Sequence, residues 1–217
     1  MTPEDTAALF TRSDGTFHFA RWGRPLAPVV FGTDDATLDV FKDSIRIAAS
    51  LGNLDLVDTD PELGANVLII FVSGWSELTS VPHLDRLLPD LPALLDRLAQ
   101  AGANQYNSFR FDTDGSIKLC LIFLRLDDAL AAVSAQVLAT SQILRSLLLW
   151  SDNAFRKDSP IALVNDGAVA IPRPDLATLI RAAYDPILPP SSHDPAFAHR
   201  LSARAMLLGK EGVDVPN

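Results

Sequence analysis

The segment ANVLIIFVSGW, residues 65–75, places the strongest constraint on what this chain can fold into. It is apolar almost throughout, and it follows the turn-prone stretch TDPELG, residues 59–64. A continuous apolar run between turn residues is typical of a strand that is covered on both faces. We therefore expect residues 65–75 to form an interior strand of a sheet with further layers above and below it.

Periodicity indicates the elements around this strand. Leu38, Phe41, Ile45 and Ala48 recur at steps of three and four residues, which predicts an amphipathic helix between aspartates at its start and Gly52 at its end. Alternation and turn residues predict the other elements. These are strands at 16–23, 25–32 and 54–58, two short helices within 82–103, a hairpin at 107–127, a long helix from residue 134, and helices at 175–185 and 196–209.

This order of elements predicts an α+β fold with a twisted mixed sheet and two main helices, rather than a doubly wound fold. The 217 residues suit a single domain with a full hydrophobic core. A proline- and serine-rich stretch near residue 190 is the one predicted boundary. The expected organisation is an N-terminal extension at 1–15, an α+β domain at 16–190 and a C-terminal helical tail at 191–217.

Composition excludes several classes of function. A net charge of −9 would repel a nucleic-acid backbone, so nucleic acid is not a predicted partner. The single cysteine, Cys120, can form neither an intramolecular disulfide nor a thiolate metal site, and it is predicted to be buried. No apolar run is long enough to span a membrane, and the N-terminus lacks the pattern of a signal peptide. We therefore expect a cytoplasmic protein, or a periplasmic or exported one whose leader has been removed; the oligomeric state stays open.

The four histidines do not match a zinc-binding helix. Two histidines must stand four residues apart for both imidazoles to lie on one helix face, and no such pair occurs. His193 and His199, with Asp194 between them, could contribute to a metal ligand set. Loop and surface positions are the interpretation that the spacing favours, so no metal site and no cofactor is predicted.

Two segments carry a family resemblance. SQILRSLLLWSD, residues 141–152, is similar to a helix motif that reads roughly E-E-x-x-Q-x-L-G-L-x-N-D, and DLATLIRAAYDP, residues 175–186, to one that reads roughly D-x-x-x-L-x-x-x-Y-D-P. The second match rests on Asp175, Leu179, Tyr184, Asp185 and Pro186. These motifs resemble those of a bacterial, mostly exported family of unknown function with a zincin-like, metallopeptidase-like fold, over most of residues 16–190. The resemblance implies a zincin-like core.

The zinc motif of active zincins, H-E-x-x-H-x-x-G-x-x-H, fails at every functional position when it is placed on this helix. Its three ligands fall on Ser141, Arg145 and Ser151, and its general base falls on Gln142. An amide cannot deprotonate a zinc-bound water, and a permanent cation at a ligand position opposes Zn²⁺. We therefore predict no zinc peptidase activity and no catalytic residue on this helix.

The polar residues of the degenerate helix are the candidate binding residues. They are Ser141, Gln142, Arg145 and Asp152. The spacings of Ser134, Ser141, Arg145 and Asp152, which are seven, four and seven residues, predict a shared helix face. One hypothesis is a polar cleft in which Arg145 binds a carboxylate such as a peptide terminus. The other is a partly solvated helix side on which Arg145 pairs with a neighbouring acid.

The predicted function is therefore a non-catalytic one: binding, or a structural role, on a degenerate zincin-like scaffold in the bacterial envelope, with a protein or peptide partner. The alternative is a hydrolase of another class, whose site is assembled from residues dispersed in the sequence. A deep pocket that holds a carboxyl group with a strongly shifted pKa would favour that alternative. A metal-dependent hydrolase that uses His193, Asp194 and His199 is a third hypothesis.

Overall fold

The computed structural model of the chain describes residues 1–166 and 169–211, and it is an α+β structure built on a mixed sheet. The strands are β1 (Phe19–Ala20), β2 (Pro28–Phe31), β3 (Val67–Val72), β4 (Gln105–Phe111), β5 (Ile117–Arg125), β6 (Ile161–Val164), β7 (Val169–Pro172) and β8 (Ser191–Ser192). The central sheet has the order β2-β3-β5-β4, in which β2, β3 and β5 are parallel and β4 is antiparallel. The predicted α+β class with a mixed sheet is confirmed.

Helices cover both faces of this sheet. They are α1 (Pro3–Ala8), α2 (Asp35–Leu51), α3 (Leu84–Leu87), α4 (Leu91–Gln100), α5 (Asp128–Ala131), α6 (Ala135–Leu147), α7 (Pro174–Ala183) and α8 (Phe197–Glu211), with a 3₁₀-helix at Trp75–Ser80. One core packs α2, α6, α7 and α8 against the sheet, and a second packs the 3₁₀-helix, α3 and α4 against its other face. None of the helices in residues 1–166 and 169–211 is long and apolar enough to cross a bilayer.

The apolar run at 65–72 forms β3, and its side chains divide between the two cores. Val67, Ile69 and Phe71 lie in the larger core, whereas Ile70 and Val72 lie in the smaller one. Side chains alternate along a strand, so a strand between two apolar layers must be apolar at nearly every position. The prediction of a strand that is buried on both faces is confirmed.

Helix α2 begins and ends where its sequence predicts. The Asp34 carboxylate caps the helix by accepting a hydrogen bond from the Thr37 N–H at 2.7 Å, and the helix ends at Gly52. Phe41, Ile45 and Ala48 of the predicted apolar stripe are buried. This helix is therefore specified by local signals that the sequence carries openly.

The predicted strand at 54–58 is wrong. The segment makes a single isolated β-bridge, between Leu56 and Leu26, and Leu56 and Val57 are 39% and 37% exposed. Alternation of apolar and acidic residues imitates a half-buried strand, but the segment pairs only with Leu26, which precedes β2, and it does not continue as a ladder along β2.

Both ends of the described chain contribute to the larger core. Phe10, Phe197 and Leu201 are fully buried there, and α1 packs on α8. Residues 212–217 of the predicted C-terminal tail lie outside the described residues. Cys120 is buried, as predicted, and burial raises the pKa of its thiol far above the usual value.

Candidate functional site

Helix α6 forms one side of the candidate site. It begins at Ser134, whose hydroxyl accepts a hydrogen bond from the Val137 N–H at 3.3 Å, and it ends at Leu147. Leu148 is extended and forms a β-bridge with Arg21. The predicted common helix face of Ser134, Ser141, Arg145 and Asp152 is therefore wrong for Asp152, which lies beyond the end of the helix.

The last turn of α6 is held by side chains from three other segments. The Tyr184 hydroxyl donates to the Leu147 carbonyl at 2.5 Å, and the Trp22 indole N–H donates to the Ser146 carbonyl at 2.8 Å. The Trp150 indole N–H donates to the Leu144 carbonyl at 3.1 Å. These donors satisfy carbonyls that have no partner within a helix, so the C-terminal end of α6 is fixed in position.

An open cleft of about 320 Å³ lies between α6, the edge strand β4 and the segment that follows α6. Three of the four predicted binding residues line it: Gln142, Arg145 and Asp152. Ser141 is in contact with the site through Arg145, because its hydroxyl accepts a hydrogen bond from the Arg145 Nε–H at 3.4 Å. The other lining residues are Arg12, Gln105, Tyr106, Asn107, Phe109, Leu149, Trp150, Ser151, Ala154 and Phe155.

Arg145 is a half-buried cation without a carboxylate partner among the described residues. Its guanidinium carbon lies 5.1 Å from the centre of the Phe155 ring, and its one hydrogen bond among these residues goes to Ser141. Burial lowers the pKa of Arg145 below the usual value for arginine, but a guanidinium keeps its proton at any ordinary pH. The cleft therefore contains a partly desolvated positive charge whose two terminal NH₂ groups donate to no acceptor among the described residues.

The other half-buried arginines show that this is unusual within the molecule. Arg24, Arg125, Arg173 and Arg204 each form an ion pair with an aspartate. Arg21 and Arg110 donate to main-chain carbonyls. Among the half-buried arginines of residues 1–166 and 169–211, Arg145 alone has neither kind of acceptor.

A pair of amides joins α6 to β4 beside Arg145. The Gln142 side chain, only 1% exposed, donates through Nε2 to Oε1 of Gln105 at 2.6 Å. This hydrogen bond attaches the helix to the edge strand. Neither amide can serve as a general acid or base at ordinary pH.

Strand β4 presents a free edge to the same cleft. The Arg125 N–H donates to the Asn104 carbonyl, which fixes the alternation of hydrogen-bonded pairs along the β4–β5 ladder. In this register the main-chain N–H and C=O groups of Gln105, Asn107 and Phe109 point away from β5. They have no main-chain partner among the described residues, and all three residues line the cleft.

Asp152 attaches a second segment to the rim of the cleft. Its two carboxylate oxygens accept from the Ser13 N–H at 2.8 Å and from the Ser13 hydroxyl at 2.5 Å. These hydrogen bonds lower the pKa of Asp152, so its carboxylate is ionised at neutral pH. Arg12, Arg145 and Asp152 together leave the cleft with one positive charge in excess, in a protein whose net charge is −9.

Aromatic side chains form the wall opposite β4. Trp150 packs edge-on against Phe155, with ring centres 5.0 Å apart, and its other side stacks on the buried Phe10 at 5.4 Å. Phe155 has a φ of +63°, a left-handed conformation that is costly for a bulky residue. This strained residue holds its ring over the Arg145 guanidinium, where the ring shields the cation from solvent.

The predicted metal candidates do not converge. The His193 ring stacks on His18, with ring centres 4.2 Å apart, and the Asp194 carboxylate accepts from the Ala196 N–H at 2.9 Å. His199 is exposed on α8. Across residues 1–166 and 169–211 there is no group of three or more His, Cys, Asp or Glu side chains that could hold a metal ion.

The carboxyl groups give no support to the alternative of a hydrolase. Every resolved shift of a carboxyl pKa in the described part of the chain is downward. Hydrogen bonds and nearby cations lower these values, and they keep the groups ionised at neutral pH. A general acid would need a raised pKa, as burial or a neighbouring like charge produces.

The residues of the segment 175–186 have structural roles. Leu179 is buried, Asp175 pairs with Arg173, and Asp185 pairs with Arg204 at 2.6 Å. Tyr184 holds the end of α6, as described above, and its ring lies against Gly52, where a side chain would collide with it. Tyr184 thus helps to fix the end of α6 from which the cleft is built.

Sequence reasoning identified the arginine of the cleft but missed its surroundings. Gln105, Asn107, Trp150 and Phe155 were not candidates, and Gln105 is 37 residues away from the Gln142 that it contacts. The available signal was the alternation of polar side chains along 105–107, opposite the apolar strand β5. Comparisons of the chain with protein-family models, curated proteins and solved structures find no match.

Proposed function

We propose that this protein is a non-catalytic binding protein whose cleft at Arg145 takes a ligand with a free carboxylate. The observation that carries the proposal is the half-buried Arg145 guanidinium, which has no acidic partner among the described residues. Burying a cation costs free energy unless an anion compensates it. A bound carboxylate supplies that compensation, and the planar guanidinium can hold it through two parallel hydrogen bonds.

The scaffold that we propose for this function is a degenerate zincin-like core. Three observations support it: parallel strands followed by an antiparallel edge strand, a long helix beside that edge, and a direct contact between Gln142 and Gln105. The side chains at the zinc-ligand positions, Ser141, Arg145 and Ser151, suit hydrogen bonding and anion binding rather than zinc. The family resemblance adds a role in the bacterial envelope to the same proposal.

The polarity of the cleft supports a ligand that carries one net negative charge. Arg12 and Arg145 outnumber Asp152, whose two oxygens already accept hydrogen bonds from Ser13. The aromatic wall of Trp150 and Phe155 favours an apolar group next to the carboxylate. A small acylated amino acid such as N-acetylvaline combines both features and is the simplest probe.

The experiment is a titration of the protein with N-acetylvaline at constant ionic strength, followed by tryptophan fluorescence. Trp150 lines the cleft, whereas Trp22 and Trp75 are buried elsewhere. We expect the protein to bind the acid saturably and to show no comparable binding of N-acetylvalinamide. In Arg145→Gln the dissociation constant for the acid should rise at least tenfold, which corresponds to about 1.4 kcal/mol of binding free energy.

Arg97→Gln is the matched control, because Arg97 is exposed on α4, at the other face of the sheet. It should bind like the unchanged protein. Equal binding of the acid and the amide, or equal binding by Arg145→Gln and the unchanged protein, would overturn the proposal.

A further inference from the structure

We infer that the natural ligand is the C-terminal end of an extended peptide, which adds to the central sheet as a new strand beside β4. The inference rests on the proposed carboxylate-binding function, and it specifies what is attached to the carboxylate. It combines the free edge of β4 with the unpaired cation of α6, because both face one cleft.

The edge of β4 offers a regular set of hydrogen-bonding groups. Gln105, Asn107 and Phe109 each point a main-chain N–H and C=O away from β5, at every second residue. An extended peptide presents its own groups at the same spacing of two residues, so it can pair with all three positions. A ligand of one residue could use only part of this edge.

Arg145 sets where such a peptide ends. The guanidinium and the three outward-facing positions of β4 line the same 320 Å³ cleft. A strand beside β4 would therefore run along the cleft that the guanidinium also lines. A terminal carboxylate in that space completes the charge balance, whereas a continuing chain would leave the cation uncompensated.

A second copy of this chain fits the edge less well than a peptide terminus does. Exposed edge strands often pair with each other, but β4 reads QYNSFRF and contains no acidic residue. Pairing β4 with β4 would bring Arg110 of the second copy to the edge and would supply no carboxylate to Arg145. Charge complementarity therefore favours a peptide terminus.

The test uses the tetrapeptide acetyl-Thr-Val-Thr-Val with a free carboxylate, and a set of analogues that each carry one N-methyl group. N-methylation removes a single donor from the peptide and leaves the protein unchanged. Along an added strand, successive N–H groups point alternately toward β4 and toward solvent. We expect the parent peptide to bind at least tenfold more tightly than N-acetylvaline, and N-methylation to weaken binding at every second amide.

A protein variant provides the reciprocal test. Asn107→Pro removes an N–H that faces away from β5, so the ladder to β5 keeps its hydrogen bonds, as edge strands allow. Asn107→Ala is the matched control, since it removes the side chain but retains the N–H. The tetrapeptide should bind at least fivefold more weakly to the proline variant than to the alanine variant, while N-acetylvaline should bind equally to both.

The outcomes separate this inference from the proposed function. If N-acetylvaline binds through Arg145 but the tetrapeptide gains nothing, or N-methyl groups act without alternation, strand addition is wrong and carboxylate binding stands. If neither probe binds, both are wrong. If sedimentation shows that the protein alone forms a dimer that Asn107→Pro dissociates, a second copy occupies the edge and the inference is overturned.

Discussion

Arg24 and Arg145 are both half-buried arginines, but their surroundings are opposite. Arg24 contacts the carboxylates of Asp112 at 2.6 Å and of Asp60 and Glu62 at 3.3 Å each, and Lys118 pairs with the same Glu62. Arg145 contacts one hydroxyl and one aromatic ring. The first arginine joins the segment before β2 to the loop at 60–66 and to the β4–β5 turn, and its charge is used entirely within the protein.

The difference indicates which of the two cations is available to a ligand. An arginine that already holds several carboxylates has to break those pairs before it can bind an external anion. An arginine that is desolvated and unpaired has already lost part of its hydration, so an arriving anion recovers free energy that folding gave up. Stability should therefore depend on the Arg24 network, and binding on Arg145.

The largest effect that we expect comes from the buried acid of the Arg24 network. The Asp60 side chain is 3% exposed and accepts from the N–H groups of Glu62 and Leu63, from the Asn66 amide and from Arg24. Asp60→Ala leaves the N–H groups of Glu62 and Leu63 unpaired and removes one acceptor from Asn66 and from Arg24. It should lower the free energy of unfolding by about 3 kcal/mol, as measured by urea denaturation.

Asp39→Ala is the control for that measurement. Asp39 pairs with Lys42 at 3.2 Å, but its side chain is 73% exposed, so its loss should cost less than about 0.5 kcal/mol. Similar losses in Asp39→Ala and Asp60→Ala would show that the network does not stabilise the fold.

A smaller effect is expected for the arginine of the same network. Arg24→Met keeps much of the aliphatic stem but removes the charge, and Asp60 retains its main-chain donors. The free energy of unfolding should fall by about 1 to 2 kcal/mol, after allowance for the solvent that reaches this partly exposed site. An unchanged urea midpoint for Arg24→Met would contradict the contrast between the two arginines.

A pH-dependent effect on stability should appear at His18, whose ring stacks on His193. Burial, then the nearby His193 and Arg12, lower the pKa of His18 to about 4. The unfolded chain then binds more protons than the folded one between pH 6.5 and 4. Stability is full above about pH 6.5 and is lost as the pH falls toward 4.

His18→Phe retains the ring and removes the titration. As the pH falls from 6.5 to 4, the free energy of unfolding should decrease in both proteins, but by about 0.5 to 1 kcal/mol less in His18→Phe than in the unchanged protein. The difference is kept small because solvent screens the exposed part of His18. His199→Phe, at an exposed position of α8, should follow the unchanged protein. Parallel pH profiles for the unchanged protein and His18→Phe would refute this assignment.

The smallest change in stability is expected at Arg145 itself. Arg145→Met removes a contact with Phe155 and a long hydrogen bond to Ser141, but it also removes the cost of a desolvated, unpaired charge. These effects offset each other, so the free energy of unfolding should change by less than about 0.5 kcal/mol. A loss comparable to that of Arg24→Met would mean that Arg145 has a structural role.

The sequence predicted best the elements that local signals define. Helix α2 has an aspartate cap, an apolar stripe and a terminal glycine, and β3 has an apolar run bounded by turns. The hairpin between β4 and β5 turns at Gly115, whose φ is +81°, as the Asp114–Gly115 pair predicts. The segment at 54–58 has the local pattern of a strand but finds no partner strand, and sequence patterns do not carry that information.

The candidate site was predicted only in part, for the same reason. Gln142 and Arg145 are neighbours on one helix, so their spacing placed them together. Asp152 was assigned to that helix face, but it reaches the rim of the cleft only because α6 ends at Leu147 and the chain turns. The contact between Gln142 and Gln105 depends on which strand occupies the edge of the sheet, and only the assembled topology determines this.

The most direct test of the contrast between Arg24 and Arg145 is an NMR titration of the arginine side chains with N-acetylvaline. The Nε–Hε signals of ¹⁵N-labelled protein would be assigned from the spectra of Arg24→Lys and Arg145→Lys. We expect the Arg145 signal to shift saturably with N-acetylvaline and not with N-acetylvalinamide, while the Arg24 signal stays in place. An unmoved Arg145 signal, or equal shifts of both signals, would contradict the assignment of Arg145 as the arginine that binds the ligand.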